Sequence, residues 1–150
     1  MAFNAPSLKG RALRLLGQRE HSRAELERKL RPHETTPGEL AQALDELQAK
    51  GFINEQRVLE SVIFRRAPRL GAQRVRQELQ AKGLAPEAIS QAVADLQSTE
   101  VARARDVWQR KFGEVAEDPQ TRAKQLRFLA SRGFGAEAIR RVVKGAFEED

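Results

Sequence analysis

The sequence predicts an all-α protein, a tandem array of three three-helix, helix-turn-helix-like repeats that is elongated and curved. Three observations predict it. Ala, Leu, Arg, Gln and Glu, all strong helix formers, dominate the 150 residues, while aromatics are 5 % and Tyr is absent. Almost no stretch alternates apolar and polar residues with the period of two that a half-buried strand requires. The chain also repeats itself at a spacing of 49 to 50 residues.

Nine helices follow from the punctuation: 7–18, 22–31, 37–50, 55–67, 72–82, 86–97, 100–112, 119–132 and 136–147. Ser22-Arg23-Ala24-Glu25 opens the second with the spacing of a capping box, and Thr36-Pro37-Gly38-Glu39 opens the third the same way. Pro37 and Pro119 sit where a first-turn proline is tolerated, because that N–H has no helical partner. Leu26 and Leu30 lie one turn apart in the second helix. Leu40, Leu44 and Leu47 form a stripe in the third, and Val101, Ala104, Trp108 and Phe112 one in the seventh. Gly51, Gly83 and Gly133 each follow a basic residue and precede an apolar one (Phe52, Leu84, Phe134). That is a helix C-terminus, with glycine in the left-handed cap, the cation at the negative end of the dipole and the apolar residue folded back.

Shifting the first third by 49 places Leu26 on Val75, Leu30 on Leu79, Pro37 on Pro86, Leu40 on Ile89, Leu44 on Val93 and Leu47 on Leu96. Shifting the middle third by 50 places Leu79 on Leu129, Gly83 on Gly133, Leu84 on Phe134, Ile89 on Ile139 and Val93 on Val143. The second match weakens upstream, where Val75 meets Gln125. The aligned prolines and glycines argue against chance periodicity between amphipathic helices. The modules are 1–50, 51–98 and 99–150. Each has too few apolar residues for a substantial core of its own and leans on its neighbours.

Hydrophobic residues are 40 % and charged ones 32 %, with a mean hydropathy of -0.60. That excludes a disordered polyelectrolyte and a membrane-embedded chain. No uncharged apolar run is long enough to span a bilayer, and residues 1–8 lack the pattern of a secretory signal. Cysteine is absent, which excludes disulfides, thiol catalysis and Cys-based metal sites and agrees with a reducing cytoplasm. No phosphate-binding loop or dinucleotide turn is present. His21 and His33 read as solvated residues near helix ends. His21 and Glu25 share a face, but two ligands do not make a metal site. Trp108 reads as core, and Glu148-Glu149-Asp150 as a solvated tail. No cofactor and no catalysis are expected.

The charge points to an anionic partner. The chain carries +6 with a pI near 10.3, spread as +2 in each third. Arg65, Arg66, Arg69, Arg74, Arg76 and Lys82 face a single acid, Glu78, in their stretch. Arg122, Lys124, Arg127, Arg132, Arg140, Arg141 and Lys144 face Glu137 in theirs. A solvated helical face is the alternative for either cluster alone. Two clusters at equivalent places in successive modules favour binding, and arginine's planar fork suits phosphate and carboxylate. Conventional reading of a DNA groove is disfavoured, because Glu39, Glu87 and Glu137 stand at the starts of the third helices, where they would repel phosphate.

Arg19-Glu20-His21-Ser22-Arg23-Ala24-Glu25-Leu26 with Lys29-Leu30 resembles the opening signature of the RecX regulatory proteins. Lys50-Gly51-Phe52-Ile53-Asn54-Glu55 resembles that family's first junction. Arg74 to Leu79 with Lys82-Gly83-Leu84, and Lys124 to Leu129 with Arg132-Gly133-Phe134, resemble its second and third repeats. The resemblance covers nearly the whole chain. It departs at Arg57-Val58-Leu59, where the family carries Arg-Phe-Ala, and at Pro68-Arg69-Leu70-Gly71, where it carries Arg-Gly-Tyr-Gly. Pro68 is expected to end its helix early. The resemblance implies a cytoplasmic, monomeric, non-enzymatic modulator of the RecA recombinase in DNA repair, recombination and the SOS response. Such a protein lies in the groove of the RecA–single-stranded DNA filament and suppresses strand exchange, ATP hydrolysis and co-protease action. Direct contact with single-stranded DNA is part of that expectation. The rival is a stand-alone nucleic-acid-binding protein with tandem helix-turn-helix-like modules.

Overall fold

The computed structural model describes residues 5–143. Among these residues there are nine α-helices and no strand: α1 Leu8–Gln18, α2 Arg23–Leu30, α3 Glu39–Ala49, α4 Glu55–Arg66, α5 Ala72–Ala81, α6 Pro86–Gln97, α7 Glu100–Lys111, α8 Pro119–Ser131 and α9 Ala136–Val142. A short 3-10 turn, Arg31–His33, follows α2. No described helix is long and apolar enough to cross a membrane.

Local chemistry sets most of the boundaries. Ser22 and Glu25 form the reciprocal capping box of α2, and Asp118 caps α8 by accepting from the Thr121 N–H. Gly51 and Gly133 adopt φ of 83° and 89°. In both turns the N–H beyond the glycine reaches back five residues, Phe52 to Leu47 O and Phe134 to Leu129 O, which closes a Schellman cap. α4 stops two residues before Pro68, as expected.

Three expectations are corrected. α3 does not begin at Pro37. The Glu39 N–H donates to Thr36 O at 3.1 Å and Gly38 has φ 89°, so Thr36 to Glu39 is a type II turn with proline and glycine in its two central places. The first turn of α3 is capped from further away, by Glu34, whose carboxylate accepts from the Leu40 N–H at 2.8 Å. Phe52 does not fold inward: it is 47 % exposed, and Ile53 is buried in its place. α9 ends at Val142, because Val143 is extended, and the rest of the expected helix lies outside the described residues.

Every apolar pair that the repeat superimposes is buried, Leu26 with Val75, Leu30 with Leu79 and Leu129, Leu40 with Ile89 and Ile139, Leu44 with Val93 and Val143, and Leu47 with Leu96. Gln125, the mismatch, is buried too. Its side-chain carbonyl accepts from the Trp108 indole N–H at 3.0 Å and its amide donates to Glu114 O at 3.0 Å, so a polar residue at an apolar position is satisfied.

The chain forms two compact units. One reaches to Ser61 and takes in Ala81–Leu84. The other comprises Val62–Gln80 and continues from Ala85. In the first, Leu8 and Ala12 of α1, Leu26 and Leu30 of α2, and Leu40, Leu44 and Leu47 of α3 share a core with Ile53. In the second, Ala104 and Trp108 of α7, Leu129 of α8 and Ala138, Ile139 and Val142 of α9 share a core with Phe134 and Val143.

Candidate functional site

In the first unit, the start of α2 holds a buried polar cluster. The Ser22 hydroxyl donates to Lys82 O at 2.6 Å, and Ala24 sits where a Cβ on Gly83 would come within 2.8 Å. Glu25 is almost fully buried and pairs with Arg19 at 2.7 Å and Lys82 at 3.2 Å, while accepting from the Ser22 N–H at 3.0 Å. Burial alone would raise its pKa. The Arg19, Ser22 and Lys82 donors outweigh burial and hold it down at about 2. His21 corrects its expectation: it is 1 % exposed, not solvated. Its Nδ1 lies 3.0 Å from Arg19 O and its Nε2 3.2 Å from Lys29 Nζ. That pattern fits a neutral ring donating from Nδ1 and accepting at Nε2, and burial lowers its pKa accordingly. His33 is exposed.

In the second unit, the loop between α4 and α5 lies backbone to backbone on the turn after α8. The Gly71 N–H donates to Arg132 O at 2.7 Å, and the Gln73 N–H to Gly133 O at 3.3 Å. A Cβ on Gly71 would fall 2.3 Å from the Gly133 carbonyl, so only glycine permits the approach. The first turn of α7 grips the same loop. Glu100 accepts from the Ala72 N–H at 2.8 Å, and the half-buried Arg103 donates to Ala67 O at 2.8 Å, Leu70 O at 2.6 Å and Leu96 O at 2.9 Å.

This framework sorts the candidate cations. Arg65 and Arg66 flank Glu78, Arg66 at 2.9 Å and Arg65 at 4.0 Å. Arg74 donates to Ser131 O at 2.7 Å. Lys82 is committed to Glu25 and largely covered. Arg140 and Arg141 both pair with Glu137 on α9. The buried Arg122 Nε has no partner among the described residues, and Arg76 is half-buried. Lys124 and Arg127 are exposed on α8. Lys144 lies outside the described residues, as does the acidic tail.

Arg69 and Arg132 come together. They line an open groove of about 290 Å³ with Pro68, Val107, Arg110, Lys111 and Phe128, and no acid is among the lining residues. The Arg132 guanidinium lies 4.9 Å and the Lys111 ammonium 5.3 Å from the centroid of the Phe128 ring. Phe112 supports that ring edge-on at 5.4 Å. Arg69, Lys111 and Arg132 form no ion pair among the described residues, and the one acid beside the groove's fourth cation, Asp106 against Arg110, is exposed. Sequence reasoning did not single out Lys111, Arg110 or Phe128, which lie outside the two arginine-rich stretches or were read as repeat signature. It also missed Arg103, whose role is to hold carbonyls of the loop. The spacing of Val107 and Lys111 on α7 and Phe112 at its C-terminal cap is the signal in the sequence, and it looks like an ordinary amphipathic helix.

Three sequence profiles match in order. They are described as the first, second and third three-helix domains of RecX and cover residues 9–47, 54–93 and 98–143. A protein named Regulatory protein RecX from Leptothrix cholodnii is 50 % identical over 151 residues, covering 99 % of this chain and 96 % of its own. Another, from Ralstonia nicotianae, is 46 % identical, with 93 % and 88 % covered. Two solved structures share the fold. A crystal structure of regulatory protein RecX aligns with a TM-score of 0.74 at 18 % identity, over 90 % of this chain and 70 % of that one. The RecX structure from Lactobacillus salivarius aligns with a TM-score of 0.72 at 19 % identity, over 90 % and 91 %.

Proposed function

The chain belongs to the RecX family, and from that premise we propose that it binds the RecA–single-stranded DNA filament and restrains it. Binding lowers RecA's strand exchange, ATP turnover and co-protease action by occupying the filament, with no chemistry by the bound protein. The limits of its three modules are 1–50, 51–98 and 99–150. It acts as a monomer in the cytoplasm, without a cofactor. The observation that carries the reading beyond the family is the cationic surface of the second unit, where Arg69, Lys111 and Arg132 lack acidic partners among the described residues. Cations held close together without counter-charges suit a polyanionic nucleoprotein.

The test is binding to RecA filaments and to bare single-stranded DNA, run side by side with RecA's ATP hydrolysis. The expected result is filament binding at moderate salt and a dose-dependent fall in RecA's turnover. The chain alone should hydrolyse no ATP. Replacing Arg69, Lys111 and Arg132 together by Gln should weaken filament binding while helicity by circular dichroism stays at the wild-type value. Tight, steeply salt-dependent binding to bare DNA with no effect on RecA would instead make the chain a stand-alone nucleic-acid-binding protein. Unaltered inhibition by the helical triple variant would place the binding face elsewhere.

A further inference from the structure

We propose that the groove over Phe128 seats a phosphodiester of a single-stranded nucleic acid, with Arg69, Lys111 and Arg132 around the phosphate and Phe128 as a positioning residue. The groove brings these cations together from three separate segments, the α4–α5 loop, α7 and the end of α8. They are held there rather than merely exposed. The Gly71–Arg132 backbone bond and the Arg103 bonds to Ala67 O and Leu70 O hold the loop that carries Arg69. The Phe128 ring anchors Lys111 and Arg132. Like charges gathered in this way repel one another, and a bound anion removes the repulsion. Arginine forks match phosphate oxygens in pairs, and lysine adds a point charge.

The apolar walls narrow the choice of anion. Pro68 and Val107 stand beside the cations and offer a surface for the sugar or base next to the phosphate. Phe128 is already engaged by two cations, so it orders the charges and is not itself a free stacking platform. An acidic peptide can also meet an arginine cluster, but each of its carboxylates sits on a side chain that must be ordered separately, whereas cations from three segments beside an apolar wall match one tetrahedral phosphate and the sugar attached to it. A backbone whose charge recurs at every nucleotide, with neighbouring groups free to follow Lys124 and Arg127 on α8, fits better. The proposal rests on the filament reading only in taking the filament's DNA strand as the source of the phosphate.

The experiment uses the full chain and a fluorescent oligothymidylate, read by anisotropy across a salt series, with RecA-filament binding measured in parallel. Arg132→Gln and Lys111→Gln are each expected to weaken oligothymidylate binding by about tenfold, the scale of one charge-assisted hydrogen bond. Each should also flatten the salt dependence by about one phosphate contact. Arg132→Lys, which keeps the charge without the fork, should recover part of the loss. Phe128→Leu should lose about threefold through disordered cations. Lys111→Gln is an exposed change, so a folding defect in the Phe128 variant would not remove the test. Unchanged affinity and salt slope in the Arg132 and Lys111 variants, with normal filament binding, would overturn the groove and leave the filament reading standing. Oligothymidylate binding that the variants abolish, with no wild-type binding to filaments, would support the groove and sink the filament reading. Competition by oligoglutamate at the same charge concentration as oligothymidylate would overturn the phosphate assignment in favour of an acidic protein segment.

Discussion

The start of α2 and the start of α5 stand 49 residues apart in the repeat, and each meets a turn in which glycine follows a basic residue. The two contacts are made with different chemistry. At α2 the contact is made by side chains: Ser22 bonds to Lys82 O, and Glu25 neutralises Lys82. At α5 the contact is made chiefly by backbone: Gly71 and Gln73 bond to the carbonyls of Arg132 and Gly133, and the one side-chain bond, Arg74 to Ser131 O, carries no acid. The residue equivalent to Glu25 is Arg74, and the residue equivalent to Lys82 is Arg132. The acid at the second contact, Glu100, accepts from the Ala72 N–H and forms no ion pair with Arg132 among the described residues, and Arg132 turns to the Phe128 ring and the groove instead. One repeat position thus serves stability in the first unit and leaves a charge available for binding in the second.

Removing the acid from the first contact should give the largest effect. Glu25→Gln leaves the largely covered Lys82 without its counter-charge and unpairs Arg19, which reaches solvent. A fall from the usual 4.5 to about 2 corresponds to on the order of 3 kcal/mol of stability at neutral pH. The sign follows from the lowered value: the unfolded chain binds the proton first on acidification. The contribution is complete above about pH 4.5 and disappears as pH falls through about 2. Urea denaturation at a series of pH values should show that acid limb in the wild type and a flatter one in Glu25→Gln.

The second contact should break by volume instead of charge. Gly71→Ala puts a Cβ 2.3 Å from the Gly133 carbonyl, and the backbone there must move. A cost of about 1–3 kcal/mol is expected, with little dependence on pH or salt. The same denaturation series measures it.

The smallest stability effect sharpens the contrast most. Lys82→Met should cost about 1–2 kcal/mol, because Glu25 keeps Arg19 and the Ser22 N–H, and should leave filament binding intact. Arg132→Met should change stability by less than ~0.5 kcal/mol and weaken binding. Denaturation midpoints and filament affinities of the two variants, measured together, check the division.

Much of the fold was legible because helix ends here are marked by local chemistry. Ser22, Asp118, Gly51 and Gly133 mark boundaries by capping geometry that depends only on neighbours. The buried stripes were legible for the same reason, since the repeat superimposes residues of like burial. Pro37 misled because proline and glycine in succession serve a type II turn as well as a helix start, and the cap of α3 comes from Glu34. His21 misled because its burial depends on tertiary packing. The arginine-rich stretches were visible, but ion-pair partners decide which cations remain available. Glu25 lies 57 residues from Lys82 in sequence, and no local pattern connects them. The groove combines segments that meet only through tertiary contacts, Gly71 with Arg132 and Arg103 with the carbonyls of Ala67 and Leu70, so sequence could supply Arg69 and Arg132 but not Lys111 or Phe128 beside them.

The most direct test of this division installs the missing acid. Arg74→Glu places in the second contact the residue type that the first contact has at Glu25, within the same repeat position as it stands to Lys82. Oligothymidylate affinity should be measured for Arg74→Glu, Arg132→Gln and the double variant, with Arg74→Gln as the control for lost charge alone. The expected result is a loss in Arg74→Glu similar to that in Arg132→Gln, little further loss in the double variant, and a small effect of Arg74→Gln, because the new carboxylate acts by neutralising Arg132. Losses that simply add in the double variant, or an Arg74→Gln effect as large as that of Arg74→Glu, would contradict the claim that an acid at this position decides whether the repeat's cation is structural or free to bind.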